Sequence, residues 1–230
     1  MREQAATTSQ KNTLIAVLAI AGLLFAFGFV AQEVMEGKSL PFDRWALLAL
    51  RDPANPSSPA GPAWVQEAAR DLTSLGSIIV LAIITLAVAG YLFLARQQAS
   101  AWLVLIAVFG GIAAIDLLKA LFARPRPDVV AHAARVFTAS FPSGHASLSA
   151  ITYLTIAAVL ARSQSSLRIG VYFMALAAFL TVVIGISRLY LGVHYPTDIL
   201  AGWCIGTAWA IACWAIAAWF HTDGRPKSAW

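Results

Sequence analysis

Charged side chains are scarce in this sequence. Only 12% of its residues are Asp, Glu, Lys or Arg, about half of the roughly 25% that soluble globular domains contain. Together with 60% hydrophobic residues and a mean hydropathy of +0.74, this shortage argues against a soluble domain and predicts an integral membrane protein. The surplus of basic residues is scattered over loops, which argues against a nucleic-acid-binding protein.

Cysteine is also rare. The two cysteines, Cys204 and Cys213, lie nine residues apart in one apolar run. On a helix this spacing places them on opposite sides, about 13 Å apart along the axis, so they cannot form a disulfide with each other. We expect both to fill space in a buried helix.

Six runs with almost no charge are long enough to cross a membrane. Each holds about 19–22 residues, which matches a hydrocarbon core of about 30 Å. Because backbone hydrogen bonds must close within each segment in lipid, we expect helices. The sequence therefore predicts an all-α bundle of six transmembrane helices in a single domain over residues 1–230, with a long interfacial first loop. The predicted spans are 13–31, 75–95, 100–118, 143–161, 169–187 and 199–220.

The first run, 13–31, has a competing interpretation as a signal peptide, because basic residues precede it. It is long for the apolar part of a signal peptide, and no clear cleavage site follows. We therefore expect a retained transmembrane helix.

The first loop, 32–74, is the longest polar segment and contains four prolines in its middle. On either side, the pieces 42–50 and 63–72 mix Trp with charged residues, as helices at a membrane surface do. The loop could form a wall over a lipid-binding site, or it could be an ordinary connection lying on the membrane. The sequence alone favours the connection.

Three clusters of polar residues fall on the membrane face opposite the two termini. Lys119, Arg126 and Arg188 supply three cations, which suit the oxygens of a transferred phosphoryl group. Basic residues at span ends also occur as ordinary interfacial side chains. That alternative explains one such residue better than three that share a face with two histidines.

Ser143 and Gly144 begin the fourth span. Ser is a strong helix N-cap, and a helix N-terminus presents free N–H groups to an anion. Gly144 permits close approach of a ligand to the backbone. A plain helix cap after Pro142 is the alternative, and His145, the next residue, favours the anion site.

His145 and His194 are the two histidines that lie within motifs. A neutral imidazole can attack phosphorus, and a protonated one can give its proton to a leaving alkoxide. Asp198, four residues after His194, can fix the imidazole tautomer and free the other nitrogen as nucleophile. His145 then becomes the general acid. Two histidines and an aspartate could also hold a metal, but three nearby cations would repel it.

The three clusters together resemble the type 2 phosphatidic acid phosphatase (PAP2) superfamily over essentially the whole chain. The resemblance implies a phosphohistidine intermediate on His194, general acid catalysis by His145, and no metal or other cofactor. It implies phosphate binding by Lys119, Arg126, Ser143, Gly144 and Arg188. The matching signatures are Lys119-x6-Arg126-Pro127, Pro142-Ser143-Gly144-His145 and Ser187-Arg188-x5-His194-x3-Asp198.

Similar signatures occur in soluble acid phosphatases and vanadium haloperoxidases, and the six spans favour the membrane branch. We expect a bacterial lipid phosphatase acting on phosphatidylglycerol phosphate, phosphatidate or undecaprenyl pyrophosphate. A lipid phosphotransferase, a lipid A phosphatase, a haloperoxidase and a catalytically silent membrane protein are the alternatives. Partners are then the lipid substrate and the bilayer, with a homodimer as a further expectation and no nucleic acid.

Basic residues also suggest an orientation. The face that holds both termini carries seven of them, and the opposite face carries four once the five in or beside the proposed phosphate site are set aside. Since cytoplasmic loops are enriched in Lys and Arg, we expect cytoplasmic termini. The protein would then be multi-pass in the inner membrane, with its site facing the periplasm or the outside.

Overall fold

The computed structural model describes residues 2–128 and 138–222, with side chains over 10–128 and 138–218. The remaining residues, which include His132 and Arg135 of the third loop, lie outside this description. Eight helices and one small hairpin make up the described chain. They are α1 Arg2–Met35, α2 Leu40–Leu48, β1 Arg51–Asp52, β2 Asn55–Pro59, α3 Ala63–Ser74, α4 Ile78–Leu94, α5 Gln98–Phe122, α6 Gly144–Arg162, α7 Leu167–Tyr190 and α8 Pro196–Thr222.

Within the described residues, five helices are long and apolar enough to cross a membrane. They lie in α1, α5, α6, α7 and α8. Helices α3 and α4 meet at a bend of 47°. They form a sixth span if the bent pair is counted as one. The predicted run 75–95 is thus wrong at its start, because Ser77 caps a new helix at Ile78 and accepts a hydrogen bond from the Val80 N–H. The all-α membrane bundle itself is confirmed.

Helix α6 lies at the centre of the bundle, and small side chains let its neighbours approach closely. A Cβ added at Gly202 of α8 would lie 2.8 Å from the Ser143 carbonyl oxygen, and one at Gly206 would lie 2.5 Å from the Ser147 carbonyl oxygen. Both glycines therefore serve packing between α8 and α6 within one chain. The positions of α6 and α8 matter because each begins at a predicted catalytic motif.

The first transmembrane helix packs against the rest of the bundle. Phe27, Ala31 and Val34 of α1 form an apolar cluster with Phe141 and Ala201. This contact makes α1 part of the described bundle, and its retention stays an expectation from the sequence.

The first loop is folded onto the bundle. Its prolines do not prevent a short antiparallel hairpin, in which Arg51 pairs with Pro59 at the sheet edge, where proline is tolerated. The buried Arg51 guanidinium donates to the Tyr190 carbonyl at the end of α7, with 2.8 Å between Nη2 and oxygen. The Tyr190 hydroxyl donates in turn to the Ala60 carbonyl at 2.7 Å. The loop is therefore fixed to the helix that carries Arg188.

Both cysteines are free, as the spacing predicts, and they are half-buried in α8.

Candidate active site

A tight turn places the last motif. After α7 ends, Gly192 adopts a φ of +75°, a conformation that glycine accepts without strain. The chain reverses, His194 follows, and Pro196 begins α8, where its missing N–H costs no helical hydrogen bond. The turn brings His194 beside Arg188 on the preceding helix.

The three sequence clusters meet at one cavity of about 190 Å³. Six of the eight predicted site residues line it, so the structure brings together groups that are up to 75 residues apart in the chain, from Lys119 to His194. Ser143 and Asp198 lie behind the lining. The predicted residues in the wall are Lys119, Arg126, Gly144, His145, Arg188 and His194, joined by Gly76, Ile78, Ile115, Asp116, Thr138 and Leu148.

The imidazole of His194 is held from both of its nitrogens. Nδ1 lies 3.4 Å from Oδ2 of Asp198 and 3.3 Å from Oγ of Ser140. On the other side, Nη1 of Arg126 lies 3.1 Å from Nε2. Because a guanidinium can only donate, Nε2 must accept and therefore carries the lone pair. The proton is then on Nδ1, directed at Asp198.

The environment of His194 keeps the ring neutral. Burial lowers its pKa to about 3; Asp198 opposes this shift, whereas the charges of Arg188 and Arg126 add to it. Desolvation penalises the charged imidazolium more than the neutral ring. A neutral ring with a free Nε2 lone pair is the form that can attack phosphorus.

Asp198 is fully buried and accepts several hydrogen bonds. Its Oδ2 accepts from the Tyr195 N–H at 2.9 Å and from the Ser140 hydroxyl in a close contact. Its Oδ1 accepts from Nη1 of Arg124 at 2.6 Å. A carboxylate with this many donors is fixed in orientation, so its Oδ2 remains directed at His194.

The three cations are also positioned by neighbours. The Lys119 ammonium donates to the Ala139 carbonyl at 2.6 Å, and Nε of Arg126 donates to the Thr138 carbonyl at 2.7 Å. Arg188 donates from Nη1 to the Thr73 hydroxyl at 3.2 Å, and its buried Nε has no partner within the described residues. An unpaired buried N–H is costly, and an anion in the cavity would satisfy it.

The start of α6 contributes through its backbone. The Ser143 hydroxyl caps the helix by accepting from the Ala146 N–H at 3.5 Å, and the Ser143 N–H donates to the Asp198 carbonyl at 2.9 Å. Ser143 is thus committed to holding α6 against α8, whereas Gly144 reaches the cavity wall. Its predicted contact with phosphate remains a prediction.

Several residues of the site escaped sequence reasoning. Ser140 and Thr73 carry no motif, Asp43 lies in the first loop, and Thr197 is one of the unspecified positions between His194 and Asp198. Arg124 is not part of the three signatures, although its Arg-Pro pair immediately precedes that of Arg126. Only that repeat offered a signal, because the others act through contacts distant in sequence.

Metal binding was the alternative use of the histidines and Asp198. Over the residues that the structure describes, no group of three or more His, Cys, Asp or Glu side chains is arranged to hold a metal ion. A metal-free reaction remains an expectation.

A family model for the PAP2 superfamily matches residues 73–221 of this chain. The chain belongs to the PAP2 superfamily. This stretch contains all three signatures and every residue that lines the cavity. Asp43 and Arg51 of the first loop lie outside it. The family resemblance of the sequence is therefore confirmed.

Similar proteins include membrane phosphatases. The chain is 35% identical over 148 residues to phosphatidylglycerophosphatase B of Bacillus subtilis, covering 62% of this chain and 70% of that protein. It is 32% identical over 170 residues to lipid A 1-phosphatase of Rhizobium etli, covering 63% and 68%. The crystal structure of a transmembrane PAP2 type phosphatidylglycerolphosphate phosphatase from Bacillus subtilis superposes with a TM-score of 0.77 at 25% identity, covering 90% of this chain and 98% of that one.

Proposed function

We propose that this PAP2 protein hydrolyses the phosphomonoester or pyrophosphate of a membrane lipid, with His194 as the nucleophile. The observation that carries the proposal is the hydrogen bond from Arg126 to Nε2 of His194, 3.1 Å long. Because a guanidinium only donates, this contact supports a lone pair on Nε2 and a proton on Nδ1. Nε2 faces a cavity lined by three cations.

The first step transfers the phosphoryl group from the lipid to His194. Nε2 of His194 forms a bond to phosphorus as the bond from phosphorus to the lipid oxygen breaks. His145, across the same cavity, gives its proton to that oxygen. Asp198 accepts a hydrogen bond from the Nδ1–H of His194 and stabilises the positive charge that develops on the ring.

The second step releases phosphate. Water attacks phosphorus, His145 takes the water proton, and the bond to Nε2 breaks. Both rings then return to their starting protonation states. No other reactant is needed, so the net change is hydrolysis of one phosphate ester or anhydride bond.

Phosphate binding is the task of the cavity wall. Lys119, Arg126 and Arg188 would each donate to a phosphoryl oxygen, and the backbone N–H of Gly144 would add a helix N-terminus. The buried Nε of Arg188, which has no hydrogen-bond partner among the described residues, supports this assignment. Ser143 would contribute through the helix that it caps.

The lipid class follows from the setting of the cavity. It opens at helix ends of a membrane bundle, so a phosphate head group can reach the cations while the chains remain in the bilayer. The relatives named above act on phosphatidylglycerol phosphate or lipid A, and those lipids join phosphatidate and undecaprenyl pyrophosphate as candidates. Transfer to a second alcohol in place of water is the alternative reaction.

For location, we propose a multi-pass protein of a bacterial inner membrane with the site on the outer face. The basic residues at the ends of the α4–α5 and α6–α7 connections support cytoplasmic termini. The chain is proposed to act as a single domain over 1–230. A homodimer remains an untested expectation.

The test is phosphate release by detergent-purified protein from the four candidate lipids, with EDTA present. We expect release from at least one lipid and none from His194→Ala. His145→Ala should retain turnover reduced by about 10²–10⁴-fold, the usual contribution of a general acid. Wild-type activity in His194→Ala would contradict the nucleophile, and phosphate appearing on an added alcohol would identify a transferase.

A further inference from the structure

An acidic residue of the first loop is buried beside the start of α8. The carboxylate of Asp43, on α2, is fully buried. It accepts from the Ser39 hydroxyl at 3.0 Å and, on the distant α8, from the Thr197 N–H at 3.2 Å and the Thr197 hydroxyl at 2.7 Å. Asp43 does not line the cavity, yet it is tied to the residue next to Asp198.

Arg124 connects Asp43 to Asp198. Its Nη2 lies 2.7 Å from Oδ2 of Asp43, and its Nη1 lies 2.6 Å from Oδ1 of Asp198. The guanidinium also lies over the Tyr195 ring, 4.4 Å from its centroid. Its side chain is only 9% exposed, so these two ion pairs are shielded from water and salt.

The first consequence is geometric. Arg124 occupies Oδ1 of Asp198, which leaves Oδ2 to face the ring of His194. A guanidinium is planar and rigid, so fixing one of its ends through Asp43 fixes the other. Without Asp43, Arg124 could rotate, and Asp198 would lose the donor to Oδ1, one of the three groups that fix its orientation.

The second consequence is electrostatic. Arg124 alone would neutralise Asp198, and the positive charge developing on His194 would then face no net negative charge. Asp43 supplies a second carboxylate to Arg124. The set of two carboxylates and one guanidinium keeps a net charge of −1 behind His194.

We propose that Asp43 is a positioning residue for the reaction: through Arg124 it orients Asp198 and preserves the negative charge that His194 needs. The inference rests on the proposed function of His194 as nucleophile. The sequence alone favours an ordinary connection for the first loop. With Asp43 as a positioning residue, this loop supports catalysis by His194. Since α2 lies outside the three signatures, it is the fold that brings Asp43 next to Arg124 and Thr197.

The experiment measures phosphate release from phosphatidate, or from whichever candidate lipid the wild type turns over fastest. In Asp43→Asn we expect kcat to fall about 10-fold and at most about 100-fold, the range found when a direct partner of a functional side chain is removed, because Arg124 and Asp198 stand between Asp43 and His194. KM should change less than about threefold, because Asp43 does not touch the cavity. The matched control is Asp71→Asn, an exposed aspartate of the same loop, which should keep wild-type kcat.

A double-mutant cycle separates positioning from general stability. In the Asp198→Asn background, adding Asp43→Asn should cost less than about threefold, since its route to His194 is already lost. An unchanged kcat in Asp43→Asn overturns the inference, as does a full loss that persists in the Asp198→Asn background. A wild type that releases no phosphate from any candidate lipid, in contrast, would count against the proposed function and not against Asp43 in particular.

Removing one member of a buried ion pair can prevent folding, so a milder variant is included. Thr197→Val keeps the shape but removes the hydroxyl that donates to Asp43 and accepts from Arg124 at 2.9 Å. We expect kcat to fall at least about fivefold, since one lost hydrogen bond corresponds to about that factor and the hydroxyl makes two, with KM unchanged. Wild-type kcat in folded Thr197→Val, with Asp43→Asn not recoverable, would also overturn the inference.

Discussion

At the scale of single residues, the neutral imidazole of His194 links the stability of the site to its chemistry. The same burial that leaves a lone pair on Nε2 makes protonation of the ring costly. A histidine that must stay neutral in the folded state should also make the stability of the protein depend on pH.

We predict that His194 lowers stability as the pH falls below about 6.5. Its folded pKa of about 3 lies below the ordinary value of 6.5, so between these values the unfolded chain binds one more proton than the folded chain. Stability is therefore lost as the pH falls through this window, by up to about 1.4 kcal/mol per pH unit.

The measurement is Tm in detergent from about pH 7 to 4.5 for the wild type and for His194→Gln. Glutamine does not titrate, so the Tm of this variant should decline less steeply with falling pH. Parallel curves for the two proteins would contradict the buried, neutral histidine.

Residue types and spacing reveal the direct chemistry but not its supports. His194 and Asp198 could be paired from the sequence because four residues separate them, and an Arg or Lys near a helix end already suggests an anion. Asp43, Ser140 and Thr73 could not be found this way. Each acts through one contact with a residue far along the chain, and their neighbours in sequence show no pattern.

At the scale of elements, the contact between α6 and α8 holds the two motifs together. His145 lies in the first turn of α6 and Asp198 in the first turn of α8. Gly206 permits this contact, since a Cβ there would lie 2.5 Å from the Ser147 carbonyl oxygen. Backbone on both sides leaves no flexible group to move aside.

We therefore predict that Gly206→Ala separates the helices. Overpacking of this kind costs about 1–3 kcal/mol, which corresponds to about 2–4 °C in Tm for each kcal/mol in a chain of this size. Lipid phosphate release should fall with it. The matched control is Gly90→Ala in α4, where an added Cβ meets nothing within 4 Å among the described residues; equal effects of the two substitutions would contradict the packing argument.

Helices were easier to predict than their ends and the first loop. Long apolar runs identify spans because lipid demands closed backbone hydrogen bonds. The bend before Ile78 and the Arg51–Pro59 hairpin depend on packing against α7 and on proline at a sheet edge. The hydropathy pattern contains neither kind of information.

At the scale of the whole molecule, the first-loop hairpin and the α6–α7 connection belong to opposite membrane faces. The hairpin lies on the side of the cavity, and the connection lies on the side assigned to the termini. Exposed serines, Ser57 in the hairpin and Ser163 in the connection, provide matched positions for labelling.

The labelling uses intact cells that express the protein with Cys204 and Cys213 replaced by alanine. We predict that a membrane-impermeant maleimide labels the Ser57→Cys variant of this protein from outside. Ser163→Cys should react only after permeabilisation. The reverse pattern would place the cavity on the cytoplasmic face and contradict the proposed orientation, while leaving the chemistry untouched.

The covalent intermediate tests the central claim most directly. Purified protein is mixed with phosphatidate, or the most active candidate lipid, carrying a radiolabelled phosphate; the reaction is quenched within milliseconds and the protein is digested and mapped. We predict acid-labile, alkali-stable label on His194 in the wild type and none in His194→Ala. Phosphate released by the wild type with no label on His194 at any quench time, or label on another residue, would contradict the account.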